Sequence, residues 1–358
     1  MTPSNLYGLI LAGGRGTRFW PRSRKHKAKQ VLSFLGDDSL IQQTVKRLAR
    51  LLPPERIWIL TNDHLHAEII RQLPEVPKRQ IIAEPAQRNT AAAIGLAAHI
   101  LNGLNPDSVM GVFPADHIIQ KPAPYLRLLK QAYKAASAGH IAVLGIQPRW
   151  AETGYGYIEF PKGTAAGERI VAVRSFREKP DAATARRFVR AGNFYWNAGM
   201  FFWRSGVLLD ALRHHLPKTF TLLASLPAYG TRQFSSRLAE SYPRCENISI
   251  DYAVMEKAVD VVGIPAGDIG WNDVGSWNAV YELLPRDRNG NAITPDLLVE
   301  ASTGNYVHAK GKLVALLGVK DLVVVDTPDA LLIADRHRAQ DVGALVKALE
   351  KRNREDLL

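Results

Sequence analysis

The sequence predicts an α/β doubly wound fold with a largely parallel sheet, followed by a small β-rich domain at the C-terminal end. Three observations lead there. Short β-rich runs alternate with helical spans from Leu6 to Ile146, a glycine-rich turn follows the first run, and a polar stretch at Leu284–Pro295 precedes a Val/Leu-rich tail. A chain of 358 residues with 46% hydrophobic content has room for about two domains and an ample core.

In chain order, Leu6–Leu11, Arg56–Thr61, Gln80–Ala83, Val109–Phe113 and Ile141–Ile146 read as buried strands, being short, apolar and rich in β-branched residues. Helices are expected over Ser39–Leu52, Asp63–Leu73, Thr90–Leu104 and Tyr125–Ala138, several with Ser, Thr or Asp near the start to accept from free N–H groups. The middle is more mixed. Tyr155–Phe160, Ile170–Phe176 and Ala198–Trp203 read as strands, Ala182–Ala191 and Ser249–Ala258 as helices. The turn-rich linker divides residues 1–285 from residues 286–358, whose short strands lead to a final helix, Arg338–Lys351. This tail either caps the larger domain or carries homodimer contacts.

Composition narrows the function classes. Apolar residues are too plentiful and too evenly spread for intrinsic disorder. No apolar run reaches the roughly 18–20 residues of a membrane helix. Met1–Asn5 lacks the basic start of a signal peptide, and Leu6–Leu11 is too short for its apolar core. The single cysteine, Cys245, excludes an internal disulfide framework and fits a reducing compartment, so a cytoplasmic protein is expected. The net charge of +12 is unevenly placed: Arg15, Arg18, Arg22, Arg24, Lys25, Lys27 and Lys29 supply +7, and no acid occurs in the first 30 residues. A charge concentrated in one loop points to an anionic small substrate rather than to a nucleic acid or a membrane surface.

That loop begins where the first strand ends, as Ala12-Gly13-Gly14-Arg15-Gly16-Thr17-Arg18. Three glycines allow a tight turn and a close approach of backbone N–H groups to phosphate oxygens. The turn matches neither a dinucleotide fingerprint, since Phe19 stands three after Gly16, nor a Walker A loop, which needs Lys after the glycine. Phe19 and Trp20-Pro21 mark a packed loop instead of a loose tail.

The run from Leu11 through Arg18 to Phe19-Trp20-Pro21-Arg22-Ser23-Arg24, ending in Lys29-Gln30, resembles the opening motif of the sugar-nucleotide pyrophosphorylases. Its Trp-Pro-x-Ser-Arg form resembles mannose-1-phosphate guanylyltransferases, with Ala28 where that family usually has Pro. Further segments resemble the family in order: Glu84-Pro85 with Arg88-Asn89-Thr90-Ala91, Phe113-Pro114-Ala115-Asp116-His117, and Thr153 through Glu159. Phe176 through Pro180, Trp196 through Phe201, Ser249 through Glu256 and Gly270 through Trp277 follow. Ala115 and Ala198 replace residues that are more often Ser.

The resemblance, over roughly residues 6–280, implies a Rossmann-like doubly wound mixed sheet of the nucleotidyltransferase type. It also implies the reaction: mannose 1-phosphate attacks the α-phosphorus of GTP, giving GDP-mannose and pyrophosphate. Arg15 and Lys29 are expected on the β- and γ-phosphates, and Lys179 on the sugar phosphate. Leu11, Ala12, Gly13, Gly14, Gly16, Thr17 and Arg18 would bind the nucleotide with Arg88, Asn89 and Thr90. Gly154, Glu159, Glu178 and Asn197 would bind the sugar. Asp116 and Asp273 would hold Mg²⁺, a cation that takes one or two carboxylates besides phosphate oxygens, and His117 would support them as a hydrogen-bonding neighbour. Transfer of this kind needs positioning and charge stabilisation and no nucleophilic side chain. Another sugar 1-phosphate or nucleoside triphosphate is the nearest alternative, and a noncatalytic binder of GDP-mannose the next. Bifunctional relatives carry a further isomerase domain; with Leu358 ending the tail, transferase activity alone is expected.

Overall fold

The computed structural model describes residues 5–167, 169–294 and 296–358. The segment Met1–Ser4, used above against a signal peptide, lies outside the described residues, as does Pro295 of the linker. Strands β1 (Leu6–Leu11), β2 (Ile57–Asn62), β3 (Ile81–Glu84) and β4 (Val109–Pro114) form one half of a ten-stranded sheet, all parallel in the order β3-β2-β1-β4. Connecting helices are α1 (Leu40–Leu48), α2 (Asp63–Gln72) and α3 (Asn89–Leu104). Ser39 closes a capping box with Gln42 at the start of α1, and Asn62 caps α2 through the Leu65 N–H. No side chain caps α3.

After β5 (Ile118–Ile119) and α4 (Pro122–Ser137) comes β6 (Ile141–Ile146), then the short strands β7 (Tyr157–Glu159), β8 (Val171–Ala172) and β9 (Ser175–Arg177). Helix α5 (Ala182–Ala191), capped by Asp181, leads to the long β10 (Phe194–Arg204). β10 runs antiparallel between β4 and β6, so the sheet is parallel in its first half and mixed beyond. The run Ile170–Phe176, expected as one strand, is two, β8 and β9, because the chain changes partners between them: the Val173 N–H donates to the Val261 carbonyl and the Arg174 N–H to the Glu159 carbonyl. Three helices follow that the apolar spacing had not suggested: α6 (Ser205–His215), α7 (Pro217–Ala224) and α8 (Phe234–Ser241). Within Ser249–Ala258, expected as a helix, only Asp251–Met255 forms a turn, and it is a π-helical one. Strand β11 (Val261–Ala266) pairs in parallel with β6, and β12 (Trp271–Asn272) pairs with β5.

Alternation along the strands feeds two cores. Ile10, Ile59 and Phe113 face the core under α1, α2 and α4, while Leu9, Leu60 and Val112 face the one under α3, α6 and α7. Helix α9 (Trp277–Leu283) precedes the C-terminal strands β13 (Ala292–Thr294), β14 (Leu297–Glu300), β15 (Tyr306–His308), β16 (Val314–Leu317), β17 (Leu322–Asp326) and β18 (Leu331–Asp335), then α10 (Val342–Lys351). β13, β15 and β17 pair in parallel, as do β14 and β16, so successive turns of chain stack on one another. This part shares a core with the basic loop: Phe19, Trp20 and Phe34 pack with Trp277, Tyr306, Val342 and Val346.

Candidate active site

A cleft of about 620 Å³ opens at the carboxyl ends of β1, β3 and β4, where an open α/β sheet presents its ligands. Its floor is the glycine-rich turn. Side chains hold the carbonyls of that turn: Gln30 donates to those of Ala12 (2.7 Å) and Gly14 (3.0 Å), Thr61 to Ala12 (3.0 Å) and Asn62 to Gly13 (3.2 Å). Among the described residues, no backbone hydrogen bond uses the N–H groups of Gly13, Gly14, Arg15 or Gly16. Donors left free in this way form an anion cradle. Gly16 is obligatory, because at φ +60° an added Cβ would lie 2.6 Å from the Cβ of Lys29.

The opposite wall is the N-terminus of α3, a 16-residue helix whose uncapped first turn meets the cleft through Arg88, Asn89 and Thr90. The helix dipole favours an anion there, with the Thr90 N–H taken by Asn89 Oδ1 (2.9 Å) and the Ala91 N–H by the Ile248 carbonyl (3.2 Å). Arg88 adds a guanidinium whose buried Nε has no partner. Glu84 lies between the two walls, and Tyr242 donates a hydrogen bond to it. Burial pushes the Glu84 carboxyl up to about 7.

Lys29, Asp116 and Asp273 meet at the inner end. The buried Lys29 ammonium donates to Asp116 Oδ2 (2.7 Å) and to the Asp273 carbonyl (2.6 Å). Burial pushes the Asp116 carboxyl up, but Lys29 and His117 outweigh it and hold it below the ordinary value. Tyr155 donates to Asp273 Oδ1 at 2.6 Å. His117 accepts from the Trp271 indole N–H at Nδ1 (3.2 Å), and burial lowers its pKa against the pull of Asp116 and Asp273. Two carboxylates are the donor set of a hard divalent cation that completes its shell with phosphate oxygens and water. Among the described residues no group of three or more His, Cys, Asp or Glu could enclose a metal.

Lys179 donates to Glu178 Oε1 at 2.6 Å. Asn197 sits at an irregularity in β10, between Asn197 and Phe201, and donates to Asp251 Oδ1 at 3.0 Å. Asn89 (φ 60°), Lys179 (φ 45°) and Val274 (φ 48°), the last following Asp273, are left-handed without being glycine. Such conformations persist where surrounding structure holds a site in shape.

Several expected residues lie elsewhere. Arg15 is ion-paired with Glu350 of α10 (2.8 Å), and Arg18 donates to Gln340 (2.6 Å). Gly16 and Thr17 turn with them toward the C-terminal part, where Thr17 Oγ1 lies beside Gly343. The Gly154 N–H donates to Glu152, and Glu159 accepts from Ser175, both away from the cleft lining. Leu11, Ala12, Gly13, Gly14, Arg88, Asn89, Thr90 and Asp116 do line it. Asp251 lines it as well without having been assigned a role; its only sequence signal was membership of the Ser249–Glu256 motif.

The profile of the family described as nucleotidyl transferase matches residues 7–290, and that of a MannoseP isomerase/GMP-like beta-helix domain matches residues 297–349. The chain belongs to the nucleotidyl transferase family. This nucleotidyl transferase is 40% identical over 353 residues to the alginate biosynthesis protein AlgA of Pseudomonas aeruginosa, covering 97% of the chain and 73% of the relative. It is 38% identical to a mannose-1-phosphate guanylyltransferase of Escherichia coli K12, covering 99% and 76%. A crystal structure of a mannose-1-phosphate geranyltransferase from Thermus thermophilus superimposes with a TM-score of 0.85 at 33% identity, covering 97% of this chain and 99% of that one. The stacked strands from Leu297 onward fall within the stretch that matches the β-helix domain.

Proposed function

We propose that the chain transfers GMP from GTP to mannose 1-phosphate, forming GDP-mannose and releasing pyrophosphate. The observation that carries this is the buried Lys29 between Asp116 and Asp273, at the inner end of a cleft walled by the free N–H groups of the glycine-rich turn and by the N-terminus of α3. The triphosphate lies between the glycine-rich turn and the start of α3, with Arg88 adding charge. A phosphate oxygen of the sugar phosphate attacks the α-phosphorus as the bond to the bridging oxygen of the β-phosphate breaks, and pyrophosphate leaves with that electron pair. Two unit charges about 4 Å apart repel by roughly 4 kcal/mol at an effective dielectric near 20, so cations at both ends of the approach are needed. Lys29 serves the nucleotide end and Lys179 the sugar phosphate. Asp116 and Asp273 would hold Mg²⁺, which would supply charge neutralisation and alignment of phosphate oxygens for in-line displacement.

Among the described residues no helix is long and apolar enough to cross a membrane. The lone thiol, Cys245, is buried, and burial pushes its pKa up to about 11, which suits an unreactive core residue in a reducing cytoplasm. Pyrophosphate release is the test, measured with GTP, UTP, dTTP and ATP against mannose 1-phosphate and glucose 1-phosphate, with and without Mg²⁺. The expected result is Mg²⁺-dependent turnover that is highest with GTP and mannose 1-phosphate. Equal or faster turnover with UTP or dTTP and glucose 1-phosphate would overturn the substrate assignment.

A further inference from the structure

The turn Asp251–Met255 is fastened on two sides. Toward the nucleotide, the Ile250 N–H donates to Thr90 Oγ1 (2.9 Å) and the Ala91 N–H to the Ile248 carbonyl (3.2 Å), tying the segment to the first turn of α3. Toward the other half, Asn197 Nδ2 donates to Asp251 Oδ1 (3.0 Å), and the Glu178 N–H donates to Glu256 Oε1 (3.0 Å). Asp251 therefore stands where the nucleotide side of the cleft passes into the cluster of Glu178, Lys179 and Asn197.

Its chemistry is unusual for a half-buried acid. No lysine or arginine forms an ion pair with it among the described residues, because the nearby Lys179 ammonium is bound to Glu178. Its neighbours are the Asn197 amide and the Ser249 hydroxyl. Glu178, 7% exposed, keeps its Oε2 without a partner, packed so tightly that a Cβ on Gly156 would fall 2.4 Å from it. A buried carboxylate beside a half-buried one is costly unless donors satisfy both. Burial and the neighbouring Glu178 raise the Asp251 carboxyl to about 6, which records that strain. A phosphate would be repelled by this pair. A polyol would not be, since neutral O–H groups each donate one hydrogen bond and carry no charge.

We propose that Asp251 is a sugar-binding, specificity-determining residue, accepting a ring hydroxyl of the hexose 1-phosphate beside Glu178. The inference rests on the transferase reading above. Glu178 is anchored through Lys179 and Glu256, and Asp251 through Asn197, so neither carboxylate can follow a displaced sugar. A site built to accept a hydroxyl in this way rejects analogues lacking or misdirecting it, because its buried oxygens are then left unpaired.

The test compares Asp251→Asn and Asp251→Ala with the parent enzyme, reading the KM of each substrate separately and the Kd of GDP and of GDP-mannose by calorimetry. The expected result is a rise of roughly tenfold or more in the KM for mannose 1-phosphate, as fits loss of a charge-assisted hydrogen bond. The KM for GTP and the Kd for GDP should change by less than about threefold, and the preference for mannose 1-phosphate over glucose 1-phosphate should narrow. The calorimetric arm needs only a folded protein: the affinity gained by GDP-mannose over GDP should shrink in both variants. An unchanged sugar KM with an unchanged GDP-mannose increment would overturn the proposal. Parallel losses for GTP and sugar would also overturn it, making Asp251 a structural tie to Thr90. If the parent enzyme itself turned over no mannose 1-phosphate, the transferase reading would fail instead, whatever the variants did.

Discussion

On the cleft side of the basic segment, one ammonium, Lys29, is buried against Asp116 and the Asp273 carbonyl. On the far side, Arg15 faces Glu350 (2.8 Å), Arg24 faces Asp329 (3.0 Å) and Lys25 faces Glu355, all acids of the C-terminal part. The same fifteen residues thus carry two electrostatic tasks. Inward, a desolvated cation sits at the end of the cleft, where a low local dielectric strengthens every interaction. Outward, half-exposed ion pairs ring an apolar joint, and pairs of that kind contribute little each. The concentration of charge read in the sequence is therefore not all directed at substrate.

The joint itself should break with the largest effect. Trp277 is fully buried, donates its indole N–H to the Trp20 carbonyl (3.1 Å), and packs on Phe19, Phe34 and Tyr306. Trp277→Ala is expected to cost about 3–5 kcal/mol and to lower transferase activity with it, because the glycine-rich turn is seated on the same cluster. Urea unfolding read beside activity checks this. Full activity with a loose C-terminal part would show that the joint and the phosphate loop are independent.

Lys29 comes next. Lys29→Ala should lower kcat by about 10²–10³-fold, as expected for a preorganised charge that meets developing negative charge. Arg24→Ala, on the outward side, should leave kcat within about threefold, since Arg24 pairs with Asp329 of the C-terminal part and does not line the cleft. Steady-state rates of the two variants decide the comparison, and equal losses would erase the distinction between the two faces.

What could be read from the sequence was local. Strands β1 and β6 and helix α5 have the limits that their apolar patterns indicate, and Asp181 caps α5 as a helix-start residue should. The turn at 12–16 was legible because glycine spacing and position after a strand constrain the backbone directly. Partners were not legible. Arg15 and Glu350 are 335 positions apart, and no pattern near either one announces the other. Helices α6 to α8 escaped because much of their apolar surface is buried against α3 and its neighbours, so their limits depend on tertiary packing. Asp251 escaped for a related reason: its role depends on Asn197 and Glu178, which reach it only through the irregularity in β10 and the end of β9.

Glu84 sharpens the contrast from the anionic side. It borders both the nucleotide cleft and a second cavity of about 580 Å³ beside Arg15 and Lys25, yet no cation pairs with it among the described residues. Burial lifts its pKa from 4.5 to about 7, with Tyr242 pulling the other way. A raised folded pKa means that its contribution to stability is whole below pH 4.5 and is lost as pH climbs through about 7. Glu84→Gln stays neutral and keeps an acceptor for Tyr242. Its stability relative to the parent should therefore improve between pH about 5 and about 8, by on the order of 2–3 kcal/mol. Urea melts at the two pH values test this, and a constant difference would mean that a cation reaches Glu84 after all.

The smallest effect belongs to Glu350. Its pair with Arg15 is half-exposed on both sides, so Glu350→Gln should change global stability by less than about 1 kcal/mol. Activity is the more telling readout. Arg15 borders the second cavity and not the nucleotide cleft, so a triphosphate that recruits it must first draw it from the carboxylate. Removing that competition should lower the KM for GTP by up to about threefold at low ionic strength. The gain should fade at about 0.5 M salt, where screening has already weakened the pair. A KM that rises instead would mean that α10 holds Arg15 in its working position, and the outward face of the loop would then belong to the active site.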